Sequence, residues 1–319
     1  MTNRILSIII PVYNVQDYIV QCLDSIFYGL SEQDKQSIEV ITVNDGSTDN
    51  SLAILEQYKK IYGLTIINKS NGGQSSARNK GLSIATGKYT WFVDSDDYLP
   101  RKAVKDALSF IKEHLSFDLF MFPFYILDCN TQNMKEQKAP FSPGSGENVF
   151  AELINKTIEV VPWNKIILTE LLKENDLLFC EGLIHEDCEW TPRLLAFAQH
   201  VMYLPKPLYI YRINRTNSIM SQQHSTTSYL MALKVADNLY KFAQKNNLSK
   251  KLKKILLRYA SSYFWVAIDG LKQVSCDKSL QDAIEKHSYL VKFSKWHRKN
   301  IYYPIIKIFG LRFFISLRL

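Results

Sequence analysis

The chain has 319 residues, 46% of them apolar, with 12 Gly, 10 Pro, 5 Cys and a formal charge of +8. That length buries a core for one large or two modest domains, and the composition excludes a disordered, collagenous or low-complexity protein. An odd number of cysteines without a C-x-x-C pair argues against a disulfide framework and for a reducing compartment.

The start, MTNRILSIIIPVYN, lacks the layout of a signal peptide, since its apolar run is short and holds Pro11, so a cytoplasmic location is expected. Charge is uneven along the chain. Residues 240–319 carry 17 Lys/Arg against 4 Asp/Glu, whereas residues 1–239 carry 22 against 27. The basic character belongs to the tail, and the chemistry belongs to the acidic part.

Residues 5–12 read as a buried strand, with Pro11 near its end where a ladder donor can be spared. Tyr18, Cys22, Ile26 and Leu30 at i, i+4 spacing predict a helix. A second strand, 38–43, runs into Asn44-Asp45-Gly46-Ser47-Thr48-Asp49, where Gly46 permits a tight turn and Ser47, Thr48 or Asp49 can cap a helix through Tyr62. The loop mimics a calcium loop, but Asn50 stands where that turn needs Gly and a strand precedes it, so calcium is rejected. A third strand, 64–68, leads to Gly72-Gly73, which can approach a phosphate, and to a helix from near Ser75. No Gly-Lys-Ser/Thr follows, which excludes a Walker-type ATPase. Arg78 and Lys80 oppose that helix's dipole, which points to service of a ligand.

The stretch 88–99, KYTWFVDSDDYL, is the most informative. An apolar strand ends in Asp94, Asp96 and Asp97, at the sheet edge where open α/β sheets bind ligands. On a continuing strand Asp94 and Asp96 share a face, and such close like charges call for a divalent cation carrying a phosphate-rich substrate. The plain alternative is an acidic turn in which Asp94 or Asp97 caps the next helix.

A helix is expected over 102–114, an apolar run broken by Pro123 over 118–127, and a polar surface loop over 131–146. Glu186 and Asp187 open a helix through Gln199, where its dipole favours ionised acids. Cys180, His185 and Cys188 are close in sequence, but no second ligand pair follows and isolated thiols are expected. A hairpin-like pair, 201–204 and 208–213, ends in Arg212, Arg215 and Ser218, and helices follow, including 229–243 and 252–271. Strand–helix alternation through residue 99 implies an α/β fold with a mostly parallel sheet flanked by helices.

Four blocks, 7–14 (SIIIPVYN), 43–49 (VNDGSTD), 72–81 (GGQSSARNKG) and 92–97 (FVDSDD), resemble in order and spacing the family 2 glycosyltransferases of the GT-A fold. The resemblance spans about residues 5–220, and implies a catalytic domain over 1–221 with a basic helical region over 222–319. It implies that Pro11, Tyr13 and Asp45 hold a nucleobase and that Arg78 lies near base and ribose. Asp94-Ser95-Asp96 is similar to the family's D-x-D, with Asp94 on ribose and Asp96 on a Mn²⁺ or Mg²⁺ ion bridging the diphosphate. Glu186-Asp187 is similar to the family's acid pair on the acceptor side, with Asp187 the general base; a helix N-cap box over 185–187 on a solvated end is the plain alternative. Trp163 and Lys165 resemble a W-x-K element near the acceptor, with core packing the plain alternative for Trp163; Arg212, Arg215 and Ser218 resemble a loop that closes over the diphosphate, with a solvated turn the plain alternative for the arginines.

The expected activity is inverting transfer of one sugar from a nucleotide donor, UDP-linked, to a glycan or lipid-linked acceptor of a surface polysaccharide. The Q-x-x-R-W motif and membrane spans of processive synthases are missing, which fits single addition. A nucleotidyltransferase would need a basic activating loop that residues 11–20 do not supply, and nucleic-acid binding by the tail conflicts with the acidic catalytic half. An inactive sugar-nucleotide-binding scaffold is the remaining rival. Residues 289–319 interleave aromatics with lysines and arginines and hold no acid; they suit an anionic leaflet on the inner face of the membrane, or else a helix packed on the domain.

Overall fold

The computed structural model describes residues 4–114, 116–138, 140–154, 159–215, 225–274 and 277–294, with 302, 304, 306 and 310. Two compact units emerge, Met1–Gly182 with Phe197–Asn217, and Leu183–Ala196 with Ser218–Leu319. The chain passes between the units three times, at 182/183, 196/197 and 217/218, and the segment with Glu186 and Asp187 joins the C-terminal helices.

The first unit begins with β1 (Leu6–Val12), α1 (Ile19–Phe27), α2 (Glu32–Gln36), β2 (Ile38–Asn44), α3 (Ser51–Tyr62), β3 (Thr65–Asn68), α4 (Gly73–Ile84), β4 (Tyr89–Phe92) and α5 (Ala103–Glu113). It continues through β5 (Leu119–Met121), β6 (Phe124–Asp128), β7 (Met134–Gln137), α6 (Gly146–Ile154), β8 (Lys165–Leu168) and α7 (Thr169–Glu174). After α8 (Glu186–Phe197) come β9 (Val201–Tyr203) and β10 (Ile210–Ile213).

Among the described residues the main sheet runs β3-β2-β1-β4-β8-β5-β9, and β10-β6-β7 form a second, small sheet. In the main sheet β8 alone runs antiparallel, to β4 and to β5. Every residue of β1, β2 and β4 is buried, as continuous apolar runs require when helices cover both faces. In α1 the apolar residues Ile19, Cys22, Leu23, Ile26 and Phe27 form the buried stripe.

Helix α4 lies against β1 and β2 without a broad apolar face, and Gly81 is the reason. A Cβ there would fall 2.4 Å from Ile9 Cγ2, so only glycine lets the helix come this close to the strand.

Three expectations for this unit are corrected. The run 118–127 is two strands in different sheets, since Pro123 has no N–H for a continuous ladder. The polar stretch 131–146 contains β7, paired antiparallel to β6, in place of a bare loop. The hairpin of 201–204 with 208–213 does not form: β9 pairs with β5, and β10 pairs in parallel with β6.

In the second unit, α8 is followed by α9 (Thr226–Lys245), α10 (Lys250–Gly270) and α11 (Lys278–Lys286). Leu233, Ala236, Phe264, Ile268, Leu280 and Leu290 share its apolar core. Ser225 and Ser249 cap α9 and α10 by accepting from the amides of Ser228 and Leu252. No helix among the described residues is long and apolar enough to cross a membrane. Ser218, and residues 295–319 apart from 302, 304, 306 and 310, which carry most of the proposed membrane segment, lie outside the described residues.

Candidate active site

Parallel strands β1, β2 and β4 deliver their following loops to one edge of the sheet. After β4 the chain does not continue extended. Val93 donates to Ile9 O at 3.0 Å, and the Asp97 amide then donates to Asp94 O at 3.2 Å, closing a tight turn over 94–97. Asp94 and Asp96 therefore belong to a turn and not to one strand face. Their side chains are 22% and 21% exposed, while Ser95 and Asp97 are buried.

Arginines frame this turn. Arg78, on α4 and 1% exposed, donates to Asp94 Oδ1 at 2.6 Å and lies over the Phe179 ring. Arg215 pairs with Asp96 Oδ2. The Arg212 guanidinium donates at 2.5 Å to the Asp96 carbonyl and to Gln21 Oε1, and sits 4.4 Å over the Tyr98 ring. Burial pushes the Asp96 carboxyl above the usual range and Asp94 adds to this, against the pull of Arg215. Asp97 rises further, through burial and then through Asp96 and Asp94.

The loops after β1 and β2 are latched together. Thr48 N donates to Asn14 Oδ1 at 2.8 Å, and Gln16 N to Asp49 Oδ2 at 3.0 Å. Pro11 is buried within β1, and Tyr13 stands 49% exposed beyond its end.

Three residues expected at the site already have partners within the fold. Asp45, expected to accept a nucleobase N–H, is 2% exposed and takes Lys69 Nζ at 2.5 Å and the amides of Gly72 and Gly73 at 3.0 and 2.7 Å. With both carboxylate oxygens engaged, it shapes the glycine loop, and a base reaches it only by displacing one of these donors. Trp163, expected beside an acceptor, is 3% exposed, stacks on Tyr209 at 4.3 Å and meets Phe124 edge-on. Lys165 is fully buried, its ammonium held by Glu159 O, Val161 O and Asn164 Oδ1. Both belong to the interior beneath the acidic turn, where burying a cation demands this set of acceptors.

Glu186 and Asp187 open α8 in the second unit, Glu186 buried and Asp187 half-buried with its Oδ1 accepting from Cys188 N at 2.8 Å. Cys188 belongs to the same environment: burial and then the Asp187 charge push its thiol well up, which keeps it unreactive.

Sequence reasoning missed Tyr209, Lys69 and Gln21. Tyr209 lies inside an apolar run and its hydroxyl gives no periodic signal. Lys69 was findable as the lone cation between β3 and the glycine pair.

The description "Glycosyl transferase family 2" matches residues 7–175, more than half of the chain. The chain belongs to that family. Among curated family 2 relatives, poly(ribitol-phosphate) β-N-acetylglucosaminyltransferase TarS of Staphylococcus aureus is 33% identical over 230 residues, 68% of this chain and 37% of TarS. Glycosyltransferase GlyA of Streptococcus pneumoniae is 33% identical over 224 residues, 66% of this chain and 31% of GlyA. The chain thus spans about a third of the length of these relatives. The crystal structure of S. aureus TarS 1–349 in complex with UDP-GlcNAc matches with a TM-score of 0.71 at 26% identity, covering 91% of this chain and 81% of that one. The fold is the GT-A fold expected of the family, with C-terminal helices.

Family 2 members of this fold commonly use a divalent cation, and the acidic turn can be tested for it. Among the described residues no three His, Cys, Asp or Glu side chains gather into a group able to hold a metal. Asp94 and Asp96 supply two hard, partly exposed oxygen donors, which fits a hard cation whose other ligands come from a diphosphate.

Proposed function

We propose that this protein transfers a single sugar from a UDP-linked donor to a hydroxyl of a glycan or lipid-linked acceptor in surface polysaccharide synthesis, with inversion at the anomeric carbon. The observation that carries this reading is the acidic turn framed by Arg78, Arg212 and Arg215 at the carboxyl edge of a parallel sheet. The likeness to a TarS structure holding UDP-GlcNAc supports the choice of a uridine nucleotide.

The chemistry follows from the groups present. In the transfer, the acceptor O–H gives its proton to a carboxylate base, the oxygen attacks the anomeric carbon, and the bond to the diphosphate breaks with its electron pair leaving on the nucleotide. Asp187 is our candidate for the base, supported by the family's acid pair and by its half-exposed place at the start of α8. Arg78, Arg212 and Arg215 pair with or flank the turn's acids and are the groups suited to exchange those partners for phosphate oxygens. Asp96, with Asp94 beside it, would hold Mn²⁺ or Mg²⁺, whose charge offsets that building on the leaving diphosphate. Tyr13, exposed beyond the end of β1, would stack on the base.

The test is turnover over a panel of UDP-, GDP-, dTDP- and CMP-sugars with and without Mn²⁺ or Mg²⁺, alongside calorimetry of each free nucleotide. Metal-dependent hydrolysis of one UDP-sugar, with UDP binding, is the expected result. Absence of binding and of turnover across the whole panel would overturn the reading.

A further inference from the structure

Asp97 is the acid of the turn that faces no solvent, at 1% exposure, and the donor-site reading gives it no task. Its Oδ2 accepts the Tyr209 hydroxyl at 2.9 Å, and its Oδ1 accepts the Arg212 amide at 2.8 Å. The Tyr209 oxygen in turn accepts the Asp94 amide at 3.1 Å. The order of donors is settled by chemistry. A backbone N–H at Asp94 can only donate, so Tyr209 accepts there and turns its own proton toward Asp97.

The tyrosine is also fixed sideways, since its ring lies on Trp163 at 4.3 Å and 9° between planes. Arg212, whose amide closes the chain, sends its guanidinium back to the Asp96 carbonyl at 2.5 Å. Both ends of the acidic turn are thereby tied to β10 through one buried carboxyl and one phenol. A residue that only filled the core would need none of these directed bonds; a phenylalanine ring would stack on Trp163 as well.

We infer that Asp97 and Tyr209 are positioning residues, a clamp that holds the Asp94–Asp96 turn and the arginine-bearing end of β10 in one register so that acids and arginines meet a nucleotide diphosphate together. The inference rests on the donor-site reading above. It also gives Trp163 its role, as the plate against which the tyrosine is held.

The test uses the full chain as wild type, Tyr209→Phe, Asp97→Asn and the double variant. Affinity for UDP with Mn²⁺ is measured by calorimetry, and exchange of the Asp94 and Arg212 amides by NMR. Each single variant is expected to weaken UDP about tenfold, the size of one well-placed hydrogen-bonded link. Asp94 exchange should accelerate in Tyr209→Phe, and the double variant should be no weaker than the worse single, because both break the same chain. Variants that melt earlier yet bind UDP within twofold of wild type would show a packing role only and overturn the clamp, as would fully additive losses. Should Asp97→Asn fail to fold, Tyr209→Phe removes one oxygen and carries the test alone. Should wild type bind no UDP, the donor-site reading falls, and amide exchange then decides the clamp: unchanged Asp94 exchange in Tyr209→Phe overturns it, and faster exchange sustains it.

Discussion

Buried and half-buried acids lie toward opposite ends of the strands of one sheet, Glu39 on β2 and Asp96 and Asp97 after β4. At the amino end, Glu39 of β2 is 8% exposed and takes bonds from Ser7 Oγ, the Thr86 amide and hydroxyl, the Gly87 amide and Arg4. Burial pushes its carboxyl up, but these donors outweigh burial and hold it below its ordinary value of 4.5. At the carboxyl end, Asp96 and Asp97 are raised above 3.8, because burial and mutual repulsion exceed what their donors supply. Burial is common to both ends. The supply of donors differs, and it separates a carboxyl lowered by its partners from carboxyls raised by burial and neighbouring charge.

The pH signs follow from those directions. Glu39, lowered on folding, contributes stability above its unfolded value, and that contribution is lost as pH falls through the folded one. Asp96 and Asp97, raised on folding, contribute stability only below their unfolded value and lose it as pH rises through the folded ones, so at neutral pH they cost stability.

The largest expected effect probes an acid outside both groups. Asp187→Asn keeps shape but cannot take a proton, so kcat should fall by roughly 10²–10⁴ while UDP affinity stays within twofold. If Glu186→Gln is crippled and Asp187→Asn is not, the base is the other acid. Next, Asp96→Ala should cut metal-dependent turnover by about 10²–10³ and abolish the tightening of UDP by Mn²⁺, measured by calorimetry with and without the ion. An Asp96→Ala enzyme that still responds to Mn²⁺ would erase the contrast with Glu39.

Glu39→Gln should do the reverse, leaving kcat unchanged and lowering unfolding free energy by about 1–3 kcal/mol at neutral pH. Denaturation across pH sharpens this: the gap between wild type and Glu39→Gln should close as pH falls through the lowered folded value of Glu39, where the wild-type carboxylate takes its proton. A gap that persists there would mean lost packing and not lost charge. The smallest effect is at Lys69, whose pair with Asp45 is partly screened by water; Lys69→Met should weaken UDP about two- to fivefold, with loss of that dependence in 0.5–1 M salt.

Much of the site was legible because it follows strand ends. The apolar runs of β1, β2 and β4 and the acids after them are local signals, and the structure places them on one edge of the sheet. What escaped was set by partners distant in sequence. Trp163 and Lys165 matched a motif near an acceptor, yet their burial depends on Tyr209 and on carbonyls at 159 and 161. Tyr209 gave no signal because an alternating or apolar run cannot show which hydroxyl will meet an acid 112 positions away. The split of 118–127 between two sheets was marked by Pro123, but the destinations of its halves depend on β8, β9 and β10. The division into units was hidden for the same reason, since the acids of α8 look continuous with the domain in sequence and join the C-terminal helices in space.

The contact of Gly81 with Ile9 has a further consequence, one of tolerance. Arg78 stands one helical turn before Gly81 on α4, and its 2.6 Å reach to Asp94 is set by how far that helix stands from β1. The clearance at Gly81 is already nil, so the helix works like a machined shim: a single added methyl would have to lift it, and the arginine with it. On the donor-site proposal, a change of donor preference, whether by selection or by design, would therefore have little room through α4. It would have far more through Tyr13 and the loop beyond β1, where an exposed side chain can be exchanged without moving the frame.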